Sequence, residues 1–221
     1  KSQIISFLKR QKSFLEISLE KETYKGSNVI CPVCNSCYAK FAPFNISSTR
    51  CISCNSLQRH RLLWLYLQNR TNFFTSEKLK VLHFAPEKIF YDIFSHDPRI
   101  DYYPCDIYPE KFKYNGSVEV KKVDITSIYF NDKTFDIILC SHVLEHILDD
   151  RTAMKELKRV LKDTGWGIFQ VPIHWRNQET FEDFSITEPQ EREKAFGQKD
   201  HVRWYGKDYK DRLTEAGFDV K

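Results

Sequence analysis

Residues 135–147 read Phe-Asp-Ile-Ile-Leu-Cys-Ser-His-Val-Leu-Glu-His-Ile, and this stretch decides the fold. Ile137, Ile138 and Leu139 form a short apolar run suited to a strand buried on both faces. Cys140, Ser141 and His142 follow, where such a strand emerges. Val143 to Ile147 then lead into an acidic, later basic, helical stretch. Strand, polar tip and helix in this order make one unit of an α/β fold with a parallel sheet. Ligands of such a sheet bind just outside the carboxyl ends of the strands, the edge expected to carry Ser141 and His142.

Further elements follow on both sides. Over Asp150–Lys162, Met154, Leu157, Val160 and Leu161 recur at helical spacing, and Gly165 is expected to stop the helix before a strand over Trp166–Ile173. Upstream, Lys80–Glu87, Ile100–Asp106 and Lys121–Ile125 read as three more strands or strand ends, and residues 132–136 as a turn. Downstream, residues 174–206 form a long polar insertion with Trp175, Phe181, Phe184 and Phe196, a length that points to function or disorder. Its end holds Asp200, His201, Arg203 and Tyr205. Two readings stand: His201 as general base with Arg203 pairing an anionic substrate, or a buried ion-paired turn. Asp208–Ala216 reads as a helix capped by Gly217, and Phe218–Val220 as the start of a sixth strand.

FDIILCSHVLEHI, followed by AMKELKRVLKDTGWGIFQVPI, resembles the fourth strand, next helix and fifth strand of class I S-adenosylmethionine (SAM) dependent methyltransferases. The resemblance runs from Lys80 to Lys221 and implies a Rossmann-like, doubly wound, mostly parallel sheet. It implies SAM as cofactor, with Asp106 on the ribose hydroxyls, Asp124 facing the adenine amino group and Ile125 beside the ring. Ser141 falls on the sulfonium side, and His142 lines both cofactor and acceptor. In the first loop the sequence departs from the family: His83 stands in place of the usual acid, and Ala85-Pro86-Glu87 in place of the glycines. Glu87 is the residue left for the ammonium of SAM. The resemblance further makes residues 196–206 a lid, because the D-H-V-R-x-Y-G stretch is similar to one in other zinc-ribbon methyltransferases. His142, His201 and Arg203 are the catalytic candidates; His146 either joins them or is a satisfied core histidine. The family normally adds a seventh strand, so the chain is expected to be cut short at its end, as Lys1 in place of Met suggests for its start.

The front of the chain has its own logic. Cys31-Pro-Val-Cys34 and Cys51-Ile-Ser-Cys54, separated by 16 residues, have the spacing of a four-cysteine zinc ribbon. Tyr38, Phe41 and Phe44 supply a core too small to fold without metal. Cys37 either replaces a ligand or is a spare thiol. Residues 1–22 pattern as an amphipathic helix on Ile4, Phe7, Leu8, Leu15 and Leu19, with Ile5 and Phe14 at its margins. Ser56–Asn69 reads as a further helix with Ser56 as N-cap, and Arg59, His60 and Arg61 form either an anion site or a basic helix edge. The expected domains are therefore a helix over 1–27, a zinc ribbon over 28–56 and a methyltransferase domain over 57–221.

The totals bound the function. With 221 residues, 41% hydrophobic and 29% charged, the composition is that of an ordinary globular protein, and no apolar run nears the ~18 residues of a membrane span. Net charge is +4, unevenly spread: residues 1–80 hold 13 Lys/Arg against 4 Asp/Glu, the remainder 21 against 26. Cysteine pairs at metal-site spacing point to a reduced, cytoplasmic compartment. The expected acceptor is a small molecule or a saccharide-type metabolite, since similar chains are met among polysaccharide genes. RNA is the other candidate, because some ribosomal RNA methyltransferases carry an amino-terminal cysteine module. The alternative is a non-catalytic zinc-ribbon protein, binding nucleic acid or protein, on a degenerate methyltransferase fold.

Overall fold

A computed structural model describes residues 16–45, 48–114 and 116–221. They divide into two compact units, one ending at Ser76 and one starting at Glu77. The expected boundary at 57 moves to 76 for a physical reason. The helix Gln58–Arg70 is bonded to the cysteine module: the Arg61 guanidinium donates to the Ser56 carbonyl at 2.6 Å and to Thr49 Oγ1 at 3.1 Å, and lies 3.8 Å over the Phe41 ring.

The first unit holds a helical segment at residues 16–23 (α1), two hairpins and the helix Gln58–Arg70 (α2). Val29–Ile30 (β1) pairs antiparallel with Cys37–Tyr38 (β2), and Ala42–Pro43 (β3) with Thr49–Arg50 (β4). Arg50 and Glu20 tie α1 to β4 at 2.5 and 2.7 Å. Most of the helix expected over 1–22, including Ile4, Ile5, Phe7, Leu8, Phe14 and Leu15, lies outside the described residues. Two expectations change. Phe44 is exposed rather than core, and Ser56 is not the N-cap of α2: Leu57 is, with His60 Nδ1 accepting from the Leu57 N–H at 3.2 Å.

The second unit is built on five parallel strands: Leu79–Phe84 (β5), Ile100–Asp106 (β6), Lys121–Lys122 (β7), Phe135–Ser141 (β8) and Leu161–Gln170 (β9). Their order is β7-β6-β5-β8-β9. The order reverses between β5 and β8, and that switch point opens a crevice at the strand ends. Register is fixed by Phe84 opposite Cys105 on one side and Cys140 on the other. Alternation along β5 sends Leu82 and Phe84 to one face and His83 to the other. The first face is covered by Asp150–Val160 (α4) and Tyr209–Glu215 (α6), through Met154, Leu157 and Leu213. The second is covered by Lys88–Phe94 (α3), with the Phe90 and Phe94 rings 6.4 and 6.2 Å from the His83 ring. This is the doubly wound, Rossmann-like arrangement expected.

Helix α4 ends at Val160, before Gly165. Gly165 instead lies in the irregular stretch of β9, where a Cβ would come within 2.7 Å of the Asp136 carbonyl oxygen. The insertion is structured: Phe181–Glu182 (β10) pairs antiparallel with Arg203–Trp204 (β11), and Pro189–Phe196 (α5) lies between them in sequence. Residues 218–220 form no strand; the Phe218 ring packs 5.0 Å from Phe169.

Candidate functional site

In the first unit, each Cys-x-x-Cys pair is followed by Asn-Ser, so 31–36 and 51–56 repeat one motif. Both turns fold alike. The Asn35 and Asn55 N–H groups donate to the carbonyls of Cys31 and Cys51 at 2.8 and 2.9 Å, and both asparagines adopt φ 57°. Asparagine tolerates this left-handed conformation better than most residues, which lets each turn close on its two thiols. Sulfurs 2.3 Å from a tetrahedral zinc stand about 3.8 Å apart. Here the Cys31–Cys54 and Cys34–Cys51 sulfurs are 3.7 and 3.6 Å apart, and all four lie within 4.8 Å of one another. The donor set therefore fits zinc. Hydrogen bonds from Cys51 and then Cys54 hold the Cys31 thiol far below its ordinary pKa, while the bond to Cys31 pushes Cys51 and Cys54 up. Four crowded sulfurs thus resist full deprotonation without a cation. Ser56 Oγ lies 3.3 and 3.2 Å from the Cys31 and Cys54 sulfurs, a second-layer contact that its expected capping role missed. Cys37 is exposed and outside the cluster. His60 and Arg61 are buried in packing, so the basic cluster is a helix edge rather than an anion site.

In the second unit the strand ends bring several expected residues to one edge. Ala85 follows β5 with φ 47°, and His142 follows β8 with φ 57°. Both are non-glycine residues in the left-handed region, one on each side of the switch point. Such strain clusters where backbone must approach a ligand. The glycine-poor loop thus adopts at Ala85 the conformation a glycine would supply. It is held by Tyr114, whose hydroxyl donates to the Pro86 carbonyl at 2.8 Å; burial and Glu87 push that phenol up to about 12.

His83 does not face the crevice. Its side chain is fully buried, with Nδ1 2.8 Å from the Tyr102 hydroxyl and Nε2 3.2 Å from a Glu87 oxygen. It positions Glu87, which stays partly exposed. Asp106, ending β6, accepts from the Tyr108 N–H at 2.8 Å through Oδ1; its Oδ2 has no hydrogen-bond partner among the described residues. Asp124 is exposed and accepts from Thr126 N and Oγ1 at 2.8 and 2.7 Å. Ile125 is 4% exposed and belongs to the core with Val123 and Ile128, so it does not reach the crevice as expected. Ser141 is buried and donates to Gln170 Oε1 at 3.0 Å, while the His142 N–H donates to the Gln170 carbonyl.

Past β8, His142 is exposed, with Nδ1 3.3 Å from Glu145 Oε1. His146 Nδ1 lies 3.1 Å from the Asp200 carbonyl and His201 Nδ1 3.2 Å from the Phe196 carbonyl. Their rings stand 4.8 Å apart, nearly perpendicular. Burial, then the charge of His146, lowers the His201 pKa.

Arg203 differs from the catalytic role expected. Its side chain is fully buried, and it donates to the carbonyls of Leu144 and Leu148 at 2.9 Å, to that of Ile147, and to Glu182 at 2.8 Å. Arg212 shares Glu182 at 3.2 Å and Asp150 at 3.1 Å, and Tyr205 donates to Asp150 at 2.6 Å. Burial pushes the Glu182 carboxyl up, but Arg212 and Arg203 outweigh it and hold the pKa below the ordinary value. The buried ion-paired turn is thus the reading that holds for Arg203. It clamps the 201–205 segment onto the turn after β8. Cys105 and Cys140 are buried thiols raised by burial, unsuited as nucleophiles. Tyr102, Tyr114, Gln170 and Glu145 carry no sequence signal of their own; only their proximity in the fold reveals them.

Comparison with known proteins adds the following. Residues 95–169 match the sequence profile of a family described as a methyltransferase domain. Among solved structures, the 4+2 cyclase SpnF is 16% identical, with TM-score 0.54 over 74% of this chain and 60% of SpnF. A SAM dependent methyltransferase from Archaeoglobus fulgidus is 17% identical, with TM-score 0.49 over 72% and 68%. A S-adenosylmethionine dependent methyltransferase from Mesorhizobium loti is 12% identical, with TM-score 0.48 over 70% and 84%. The chain spans about three fifths of the length of SpnF and of two Bacillus structures it also matches. Likeness at these identities is one of fold, carried by SpnF. A search of curated proteins found no match.

Proposed function

We propose that this chain, whose second unit carries a class I methyltransferase domain, transfers a methyl group from SAM to a small-molecule or saccharide-type acceptor. The observation that carries this reading is the pair of strained non-glycine residues, Ala85 and His142, on the two strands flanking the switch point. Asp106 holds the ribose through its free oxygen, Asp124 meets the adenine amino group, and Glu87, steadied by His83, takes the ammonium. Ser141 and His142 border the reacting methyl. Bound SAM supplies an electrophilic methyl on a sulfonium. The protein's part is then position: an acceptor atom held in line needs little else. His142, exposed at the strand end, is the group placed to take a proton from the acceptor. The four cysteines hold a structural zinc that folds the first unit. Cysteine pairs at metal-site spacing suit the reducing cytoplasm, and no helix among the described residues is long and apolar enough to cross a membrane.

The competing reading is a non-catalytic binding protein on a retired fold; the fold by itself does not decide for methyl transfer, since the cyclase SpnF shares it. Incubating the zinc-loaded protein with methyl-labelled SAM and separated RNA, saccharide and small-metabolite fractions tests both. Label in the saccharide or small-metabolite fraction is expected. Label in RNA replaces the acceptor class. Label in none, at full SAM occupancy, supports the binding protein.

A further inference from the structure

Glu145, His146 and His201 each offer one ligand atom, and these atoms lie within 4.8 Å of one another. Glu145 is 1% exposed, and its Oε2 is buried without a hydrogen-bond partner among the described residues. A buried carboxylate oxygen left without a partner is costly and calls for an explanation. The two imidazoles beside it do not supply one, because neither bonds to Oε2. Each is instead committed through Nδ1 to a backbone carbonyl, His146 to Asp200 and His201 to Phe196. A carbonyl accepts only, so each Nδ1 carries the proton and each neutral ring is left with a lone pair on Nε2. Holding the far nitrogen on a carbonyl is how proteins fix a metal-binding histidine. The Val202 N–H donates to the Glu145 carbonyl at 3.0 Å, and Arg203 bonds the carbonyls of 144, 147 and 148. Residues 55 positions apart are thus locked into one cluster.

We propose that Glu145, His146 and His201 form a binding site for a divalent transition-metal cation at the carboxyl end of β8. Two imidazoles and one carboxylate suit Zn²⁺, Fe²⁺, Co²⁺ or Mn²⁺, and leave coordination positions for an oxygen ligand. His142, 3.3 Å from Glu145 Oε1, orients the carboxylate from its other side. The site is separate from the four cysteines and stands whether or not the chain transfers methyl groups. A cation here lowers the pKa of a bound water or hydroxyl, beside the residues assigned to the acceptor.

The test uses the full chain with its cysteine centre filled with zinc. Mn²⁺ is titrated against it and followed by the loss of the free-ion paramagnetic resonance signal; Zn²⁺ is titrated in parallel by calorimetry. One ion per chain beyond that of the cysteine centre is expected, with affinity at least about ten-fold weaker in His201→Gln and His146→Gln. His146 is partly exposed, so His146→Gln decides the matter even if His201→Gln misfolds. Failure of both ions to bind beyond the cysteine centre overturns the site, as does binding by folded His146→Gln equal to that of the unaltered protein. S-adenosylhomocysteine titrated into the same samples reports on the methyltransferase reading alone, so the two proposals fail independently.

Discussion

Arg203→Met separates a structural from a chemical role for the most deeply buried cation among the described residues. The side chain is fully buried and satisfies the carbonyls of Leu144, Ile147 and Leu148 together with Glu182. Breaking a buried ion pair from one side costs about 3–5 kcal/mol. The lower end applies here, because Glu182 keeps Arg212 at 3.2 Å and Leu144 keeps the Tyr205 hydroxyl at 3.3 Å. What is left uncompensated is mainly the pair of carbonyls at 147 and 148. For a unit of this size 1 kcal/mol shifts the midpoint by about 2–4 °C, so melting of the second unit should fall by roughly 10 °C. Differential scanning calorimetry measures it, with Arg151→Ala as control. That arginine pairs with Glu215 on the surface, and its loss should cost less than about 1 kcal/mol. The same variant should lose cation affinity, because Arg203 sets the place of His201. A variant that melts within about 2 °C of the unaltered protein while losing only activity would refute the clamp and return Arg203 to the chemistry.

Two further outcomes follow. Ala85→Gly should leave stability within about 1 kcal/mol, relief of the left-handed strain offsetting added freedom in the unfolded chain, whereas Ala85→Val should cost roughly 1–3 kcal/mol and weaken SAM binding; urea denaturation and calorimetry read both. Chelation of zinc, or Cys34→Ser, should abolish the ordered circular dichroism of the first unit while leaving the melting of the second unit in place.

How much of this was legible in the sequence depended on whether the signal was local. The strand Ile100–Asp106 was readable to the residue, because its pattern and its terminal acid lie in one stretch. The four-cysteine cluster was equally readable, since two short turns carry all four thiols. Arg203 and Ile125 misled for opposite reasons. Arg203 looked reactive because its residue type is, but its partners, three carbonyls 55 to 59 positions upstream, leave no trace in the sequence. Ile125 follows from the resemblance of residues 121–125 to the family's third strand, an element that shrinks here to Lys121–Lys122, and its side chain turns into the core. His83 was visible as a departure from the family, yet its purpose required the Tyr102 hydroxyl from the next strand. Ala85 was seen as a missing glycine; that an alanine bears the same φ could only come from coordinates.

The central claim is that the strand ends of the second unit bind SAM. Titration of the zinc-loaded protein with SAM and S-adenosylhomocysteine by calorimetry, beside Asp106→Ala, tests it most directly. One site per chain, weakened at least ten-fold (about 1.4 kcal/mol) in the variant, is the predicted result. Absence of binding by the unaltered, folded protein, or equal binding by Asp106→Ala, contradicts the account.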